Sequence, residues 1–296
     1  MKFNITQKII RFFLTLCFGL TASSSVLADN GKPDFWKVEN NDVTAYIFGS
    51  IHMGNEAMYP LPQEIQNAYH ASKALVVEVN LTPQVQAEMM GLIQKYGMDM
   101  QVSMDKRLSA EGFAVFQKAC KEKQLPCHIF NISKPWLASQ QISVMDMQLL
   151  GYKEELGIDR YFLSMAQKTT KEIISLETAE DQLQIMDGFS EQQQEMMLMN
   201  AIKAKPEDYK ALFDAWQNGD DNAMISTFKK DLEQPGAKEM YLKLFDERNV
   251  KMADKIAKLI NSKKPVFVVV GAGHVVGENG LVNLLKEKGF KLTQLQ

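Results

Sequence analysis

Two short apolar runs near opposite ends of the chain constrain its fold more than anything between them. One is Ala45-Tyr46-Ile47-Phe48-Gly49-Ser50-Ile51-His52; the other is Val266-Phe267-Val268-Val269-Val270-Gly271-Ala272-Gly273-His274. Each passes from β-branched and aromatic residues into G-x-x-H, the pattern of a buried strand that stops at a glycine. Each is followed by a loop, a helical stretch and a further apolar run, so the ends read as two strand–GxxH–helix–strand repeats. If both repeats join one sheet with their first strands parallel, His52 and His274 leave the same carboxyl edge. Open α/β sheets place ligands at that edge. The glycines beside the histidines are expected to supply sharp backbone turns.

The remaining segments fit around this frame. Phe35-Trp36-Lys37-Val38 precedes Asn40-Asn41-Asp42 and the first apolar run, which predicts a hairpin. Pro62 opens a helix running through Gln63 to Ala71. Ala74 to Asn80 reads as a buried strand that contains Glu78. From Thr82 to about Asn261 the pattern is mostly helical, with Thr82-Pro83, Ser109 and Pro135-Trp136 as helix starts. A possible strand lies at Lys171 to Leu176. After the second histidine come a helix, Asn279 to Lys288, and a last strand, Lys291 to Leu295. The fold class is therefore α/β, with a central sheet formed by the two repeats. Residues 29–296 form a single domain, in which 29–81 and 264–296 build the sheet and 82–263 is a mainly helical insertion.

Residues 1–28 stand apart. Lys2, Lys8 and Arg11 precede the apolar stretch Phe12 to Leu20, and Val26-Leu27-Ala28 is a small-residue cleavage pattern. This predicts a secretory signal peptide and an exported, periplasmic or secreted protein. No later segment approaches the roughly 20 apolar residues of a membrane span. Removing the signal lowers Lys and Arg from 33 to 30 against 36 Asp and Glu, moving the net charge from −3 to −6. An acidic chain without a basic cluster argues against nucleic-acid binding. In an oxidising compartment Cys120 and Cys127 are expected to form a disulfide. Eighteen methionines, many between Met89 and Met199, read mainly as helix packing, with an adaptable apolar groove as the alternative.

Of the four histidines, His52 and His274 hold equivalent places, whereas His70 and His128 lie in a helix and a polar loop. Glu78 is the third candidate. A charge inside an apolar strand needs a cation, a metal or a proton, and Arg248 is a possible structural partner. Two His and one Glu with open positions suit a divalent metal ion (Zn²⁺, Mn²⁺ or Co²⁺) that activates water. The chain has no H-E-x-x-H helix, no G-x-S-x-G elbow and no P-loop.

Eight markers occur in order: Gly49-Ser50-Ile51-His52, Val76-Val77-Glu78-Val79, Lys134-Pro135-Trp136, Gly157-Ile158-Asp159, Leu176-Glu177-Thr178, Trp216-x-x-Gly219-Asp220, Arg248-Asn249 and Gly271-Ala272-Gly273-His274. From about Phe35 onward the chain resembles the TraB/PrgY/GumN family, related to Tiki metalloproteases and to erythromycin-esterase-like hydrolases. The resemblance implies an α/β domain with a helical insertion and a metal-dependent peptidase acting on a peptide or small secreted substrate. It makes His52, Glu78 and His274 metal ligands or catalytic bases. It makes Arg248 and Asn249 residues that orient Glu78 or stabilise an oxyanion. Two other readings stay open: a non-catalytic envelope protein that binds or sequesters a peptide, and a metal-independent esterase with His52 as base and Glu78 orienting it. Substrate, metal identity and oligomeric state do not follow from these residues.

Overall fold

The computed structural model describes residues 31–40, 43–230 and 232–295. The signal peptide expected over residues 1–28 lies outside the described residues.

Six strands form one sheet: β1 (Phe35–Asn40), β2 (Val43–Ser50), β3 (Ala74–Val77), β4 (Glu172–Ser175), β5 (Val266–Gly271) and β6 (Lys291–Gln294). Their order is β4-β3-β5-β2-β1-β6. Neighbours from β4 to β2 pair in parallel, whereas β1 is antiparallel to both β2 and β6. The N- and C-terminal apolar runs thus lie side by side, with Phe48 opposite Val269 and Ser50 opposite Gly271. Val266 to Val270 are all fully buried. Alternate residues of a strand point to opposite faces, so complete burial means that both faces of the sheet are covered.

The helices that cover it follow from their own sequences. Helix α1 (Gln63–Ala71) buries Ile65, Ala68 and Tyr69, and α2 (Pro83–Gly97) starts at the Thr82 cap. Helices α3 (Ala110–Glu122) and α4 (Pro135–Leu149) precede α5 (Ile158–Thr169), which buries Ile158, Phe162, Leu163 and Ala166. Tyr69, Phe162 and Phe267 meet with ring centroids 4.9–5.7 Å apart, joining α1 and α5 to β5. Capping boxes at Thr178 and Ser190 open α6 (Ala179–Asp187) and α7 (Glu191–Lys203). There follow α8 (Pro206–Asn218), α9 (Asp221–Lys229), α10 (Glu247–Asn261) and α11 (Leu281–Glu287). On α10, Met252, Ile256 and Ile260 recur every fourth residue and are all buried, the stripe expected of a helix lying against a core.

Three expectations change. The two repeats share parallel first strands, but their closing strands diverge. β3 pairs with β5 inside the sheet, and β6 pairs with β1 at the far edge. The strand expected at Lys171 to Leu176 forms as β4 and joins the sheet beside β3, so the two repeats alone do not build the sheet. A smaller core, built on Met104, Phe116, Phe130, Ile142 and Leu198, holds α3, α4 and α7 together. Cys120 and Cys127 are disulfide-bonded beside it, with Cα atoms 5.9 Å apart. Finally, β3 stops at Val77, so Glu78 is not inside a strand. Among the described residues no helix is long and apolar enough to cross a membrane.

Candidate functional site

The register of the sheet decides which side chains meet. Val77 lies opposite Val269 and Ser50 opposite Gly271. Glu78 therefore emerges beside the end of β5, His52 just past the end of β2, and His274 on the short helical turn Ala272–Val275 that follows β5. All three surround Gly271. A Cβ placed on that residue would lie 3.3 Å from Glu78 Oε1, 3.7 Å from His274 Cδ2 and 3.9 Å from His52 Nε2. Gly271 has φ −50°, a conformation open to any residue. The expectation that this glycine serves a sharp turn is thus replaced by a spatial reason: a side chain would fill the point at which the three groups converge.

Each group is fixed from behind. Glu78 Oε1 accepts the Gly271 N–H at 2.8 Å; Oε2 accepts from Arg248 Nη2 at 2.8 Å and Gln182 Nε2 at 3.0 Å. Arg248 also donates through Nε and Nη2 to Glu177, and through Nη1 to the Leu244 carbonyl. Arg248 thus orients Glu78, and every guanidinium nitrogen is engaged, which leaves it poorly placed to receive an oxyanion. Asn249 differs from expectation too. Its Nδ2 donates to the Asn279 carbonyl at 2.8 Å, so its Oδ1, 2.6 Å from His274 Nδ1, must be an acceptor. His274 then carries its proton on Nδ1 and leaves the Nε2 lone pair bare, 3.9 Å from Glu78 Oε1. Asn249 orients His274, not Glu78.

His52 is held by Asp159, whose Oδ2 lies 2.8 Å from His52 Nδ1 while Oδ1 accepts from Ser50 Oγ at 2.7 Å. Sequence reasoning gave Asp159, Glu177, Gln182 and Ser50 no role at the site. Asp159 and Glu177 stood in recognised motifs. Asp159, in the first turn of α5, reads equally well as a partner for the helix dipole, and Glu177, just ahead of the Thr178 cap, reads as an ordinary loop acid. Only the folded chain brings Asp159 to a histidine 107 positions earlier.

The electrostatics push the two imidazoles apart. Burial lowers the His274 pKa to about 4, against attraction from Glu78, so this ring is neutral at pH 7. Asp159 raises the His52 pKa above that of ordinary imidazole. The His52 side chain is 73% exposed, so water screens part of that pairing. Burial opposes ionisation of Glu78, yet attraction to His274, His52 and Arg248 together with the Gly271 N–H outweighs it, and the pKa is lowered. With His274 uncharged at neutral pH, His52 and then Arg248 supply the lasting share. Burial likewise opposes charge on Asp159, and His52 and Ser50 overcome it.

An aromatic wall closes one side. A π-helical turn, Leu242–Asp246, runs directly into α10; such turns recur at functional sites. It presents Phe245, with its ring centroid 5.4 Å from that of His274, and then Arg248 and Asn249 toward the sheet edge. Phe228 and Tyr241 pack behind Phe245 as tilted rings, with centroids at 5.4 and 5.0 Å. His70, on α1, is exposed.

Among the described residues no group of three or more His, Cys, Asp and Glu side chains forms a ready-made metal cage. One pair of donors is nevertheless spaced to share an ion. Two ligands at about 2.1 Å from a shared ion lie at most about 4.2 Å apart, and His274 Nε2 and Glu78 Oε1 are 3.9 Å apart. Both histidines also carry a hydrogen-bond partner on Nδ1, the outer support usual for metal-binding imidazoles.

Residues 34–294 match the TraB/PrgY/gumN family. The chain belongs to this family. It is 24% identical over 252 residues to the uncharacterized protein YbaP of Shigella flexneri, covering 82% of this chain and 88% of the relative. It is also 24% identical over 251 residues to the uncharacterized protein YbaP of Escherichia coli K12, covering 81% and 87%. No solved structure matches. The TraB/PrgY/gumN match contains all the residues gathered around Gly271 and all six strands.

Proposed function

We propose that this TraB/PrgY/gumN protein is an exported hydrolase whose His52–Glu78–His274 cradle activates water to attack a carbonyl, most suitably that of a peptide bond. The observation that supports this reading is the convergence of the three groups on one point above Gly271. There, His274 Nε2 and Glu78 Oε1 are bases facing a reacting water, and a protonated His52 is an acid facing the leaving group. Two titratable rings with pKa values driven in opposite directions are suited to such a division of labour. His52 stands open to solvent on the rim, which suits an extended chain better than a small enclosed ligand. A divalent ion held by His274, Glu78 and a His52 deprotonated at Nε2 would replace that acid–base pair, supplying Lewis acidity and a more acidic bound water.

A second reading draws on the Arg248–Glu78 pair. A carboxylate already matched by a guanidinium is a weaker metal ligand, which favours a metal-independent esterase using the Asp159–His52 pair. Elemental analysis of the purified protein, followed by peptide-library and ester assays with and without chelator, separates the two. Chelator-sensitive peptide cleavage lost in both His52→Ala and His274→Ala supports the peptidase. Chelator-resistant ester cleavage lost in His52→Ala supports the esterase. Neither activity, with both variants retaining the protein's role in the cell, would overturn the hydrolase reading in favour of peptide sequestration.

A further inference from the structure

The segment leaving His52 builds a second feature. It passes through the Asn55-capped turn Glu56–Met58 to Tyr59 and Pro60, facing the turn Glu154–Leu156 that precedes α5. Between these turns lies an open cavity of about 500 Å³, lined by Glu56, Tyr59, Pro60, Glu155, Leu156 and Tyr161. The Tyr59 and Tyr161 rings stand 5.0 Å apart at 38°. Tyr59 Oη donates to the Leu156 carbonyl at 2.9 Å, so the hydroxyl is occupied and the ring is fixed as a surface. Glu56 and Glu155 are exposed, and neither makes an ion pair with any described residue. The flanking cations Lys153 and Arg160 pair with neither.

Ring faces attract cations, and an apolar floor suits the methylene stem that carries one. Two unpaired carboxylates at the mouth reject anions and leave a neutral guest without a partner for them. The cavity is also tied to the catalytic edge. Gly54 pairs with Lys153 through two backbone hydrogen bonds of 2.7 and 2.9 Å, which join the two walls. Gly157, next to Leu156, packs so closely on His52 that a Cβ there would lie 2.2 Å from the His52 carbonyl oxygen. Tyr59 is near enough to Asp159 for that carboxylate to act on its phenol.

We infer that the cavity between Tyr59 and Tyr161 receives the cationic side chain of a lysine or arginine in the substrate, seating the peptide so that its backbone crosses His52. This inference rests on the hydrolase reading for its meaning, but its binding step is measured separately. The probes are short peptides alike except for a central arginine, lysine, norleucine or glutamate, titrated into the purified protein and followed by NMR. Wild-type protein is expected to bind the arginine and lysine peptides at least about tenfold more tightly than the norleucine peptide, and the glutamate peptide least. The surface double variant Glu56→Gln/Glu155→Gln is expected to lose that preference without losing stability. Tyr161→Leu, which removes one ring, is expected to weaken binding of both basic peptides. Equal binding of all four peptides, or an unchanged preference in the double variant, overturns the assignment. If the preference is present but no peptide is cleaved, the cavity stands and the hydrolase reading fails. If peptides are cleaved without regard to charge, the reverse holds.

Discussion

Replacing Gly271 with alanine adds one methyl group at the point on which the three candidate catalytic groups converge. At φ −50° and ψ 135° the backbone accepts alanine without strain. The lost chain freedom of the unfolded state favours the variant by about 0.4–1 kcal/mol. Against this stands the 3.3 Å approach to Glu78 Oε1, a contact the carboxylate cannot fully relieve because Arg248 and the Gly271 N–H hold it. The two effects nearly offset, so the urea midpoint should stay within about 1 kcal/mol of wild type. Function should not. A water hydrogen-bonded to His274 and Glu78 and a methyl group cannot share that space. Displacing reacting atoms by about 1 Å costs on the order of 100-fold, or roughly 2.7 kcal/mol of activation free energy. The assays are urea unfolding alongside cleavage of whichever peptide or ester the wild-type protein hydrolyses. A stable Gly271→Ala protein with full activity would show that the chemistry does not occur at this point.

Arg248→Met leaves Glu78 and Glu177 buried without their cation; a loss of about 3–5 kcal/mol is expected in urea unfolding, partly restored by adding Glu177→Gln. Asp159→Asn should let the His52 pKa fall toward that of ordinary imidazole, followed by NMR titration, and should reduce activity about 10–100-fold as an outer-support change does. Asp34 gives a pH test away from the site. It is fully buried, and burial followed by repulsion from Asp221 raises its pKa to about 7. A carboxyl raised on folding adds stability below its unfolded pKa and loses it as pH rises, so unfolding free energy should fall between about pH 4 and 7 by up to roughly 1.4 kcal/mol per unit. Asp34→Asn keeps an oxygen acceptor for Trp36 and should flatten that slope. An unchanged slope in the variant would place the titration elsewhere.

Much of the frame could be read in the residues because it is recorded locally. Val266 to Val270 is apolar at every position, which only a strand covered on both faces tolerates. Thr82-Pro83 and Ser109 mark helix starts through hydrogen bonds made within a few residues. The paired G-x-x-H motifs named His52 and His274, and an acid among valines named Glu78, because each is costly without a purpose. The supports were hidden for the opposite reason. Asp159 on His52 and Glu177 on Arg248 are ordinary polar residues with partners 107 and 71 positions away. Asn249, though singled out, was matched to Glu78 when it supports His274, 25 positions on.

The sequence by itself determined that two strand ends would deliver histidines and that an acid would accompany them, since hydrophobic periodicity and chain punctuation are local properties. Tertiary structure decided the rest. Placing β5 between β2 and β3 turned three separate residues into one cradle, and sent β6 to the far edge, so the second repeat never mirrors the first. It fixed the His274 tautomer through an asparagine whose amide is committed elsewhere, and it gave opposite proton affinities to two histidines in matching motifs. Burial and partner charge set those affinities, and neither exists until the helices close over the sheet.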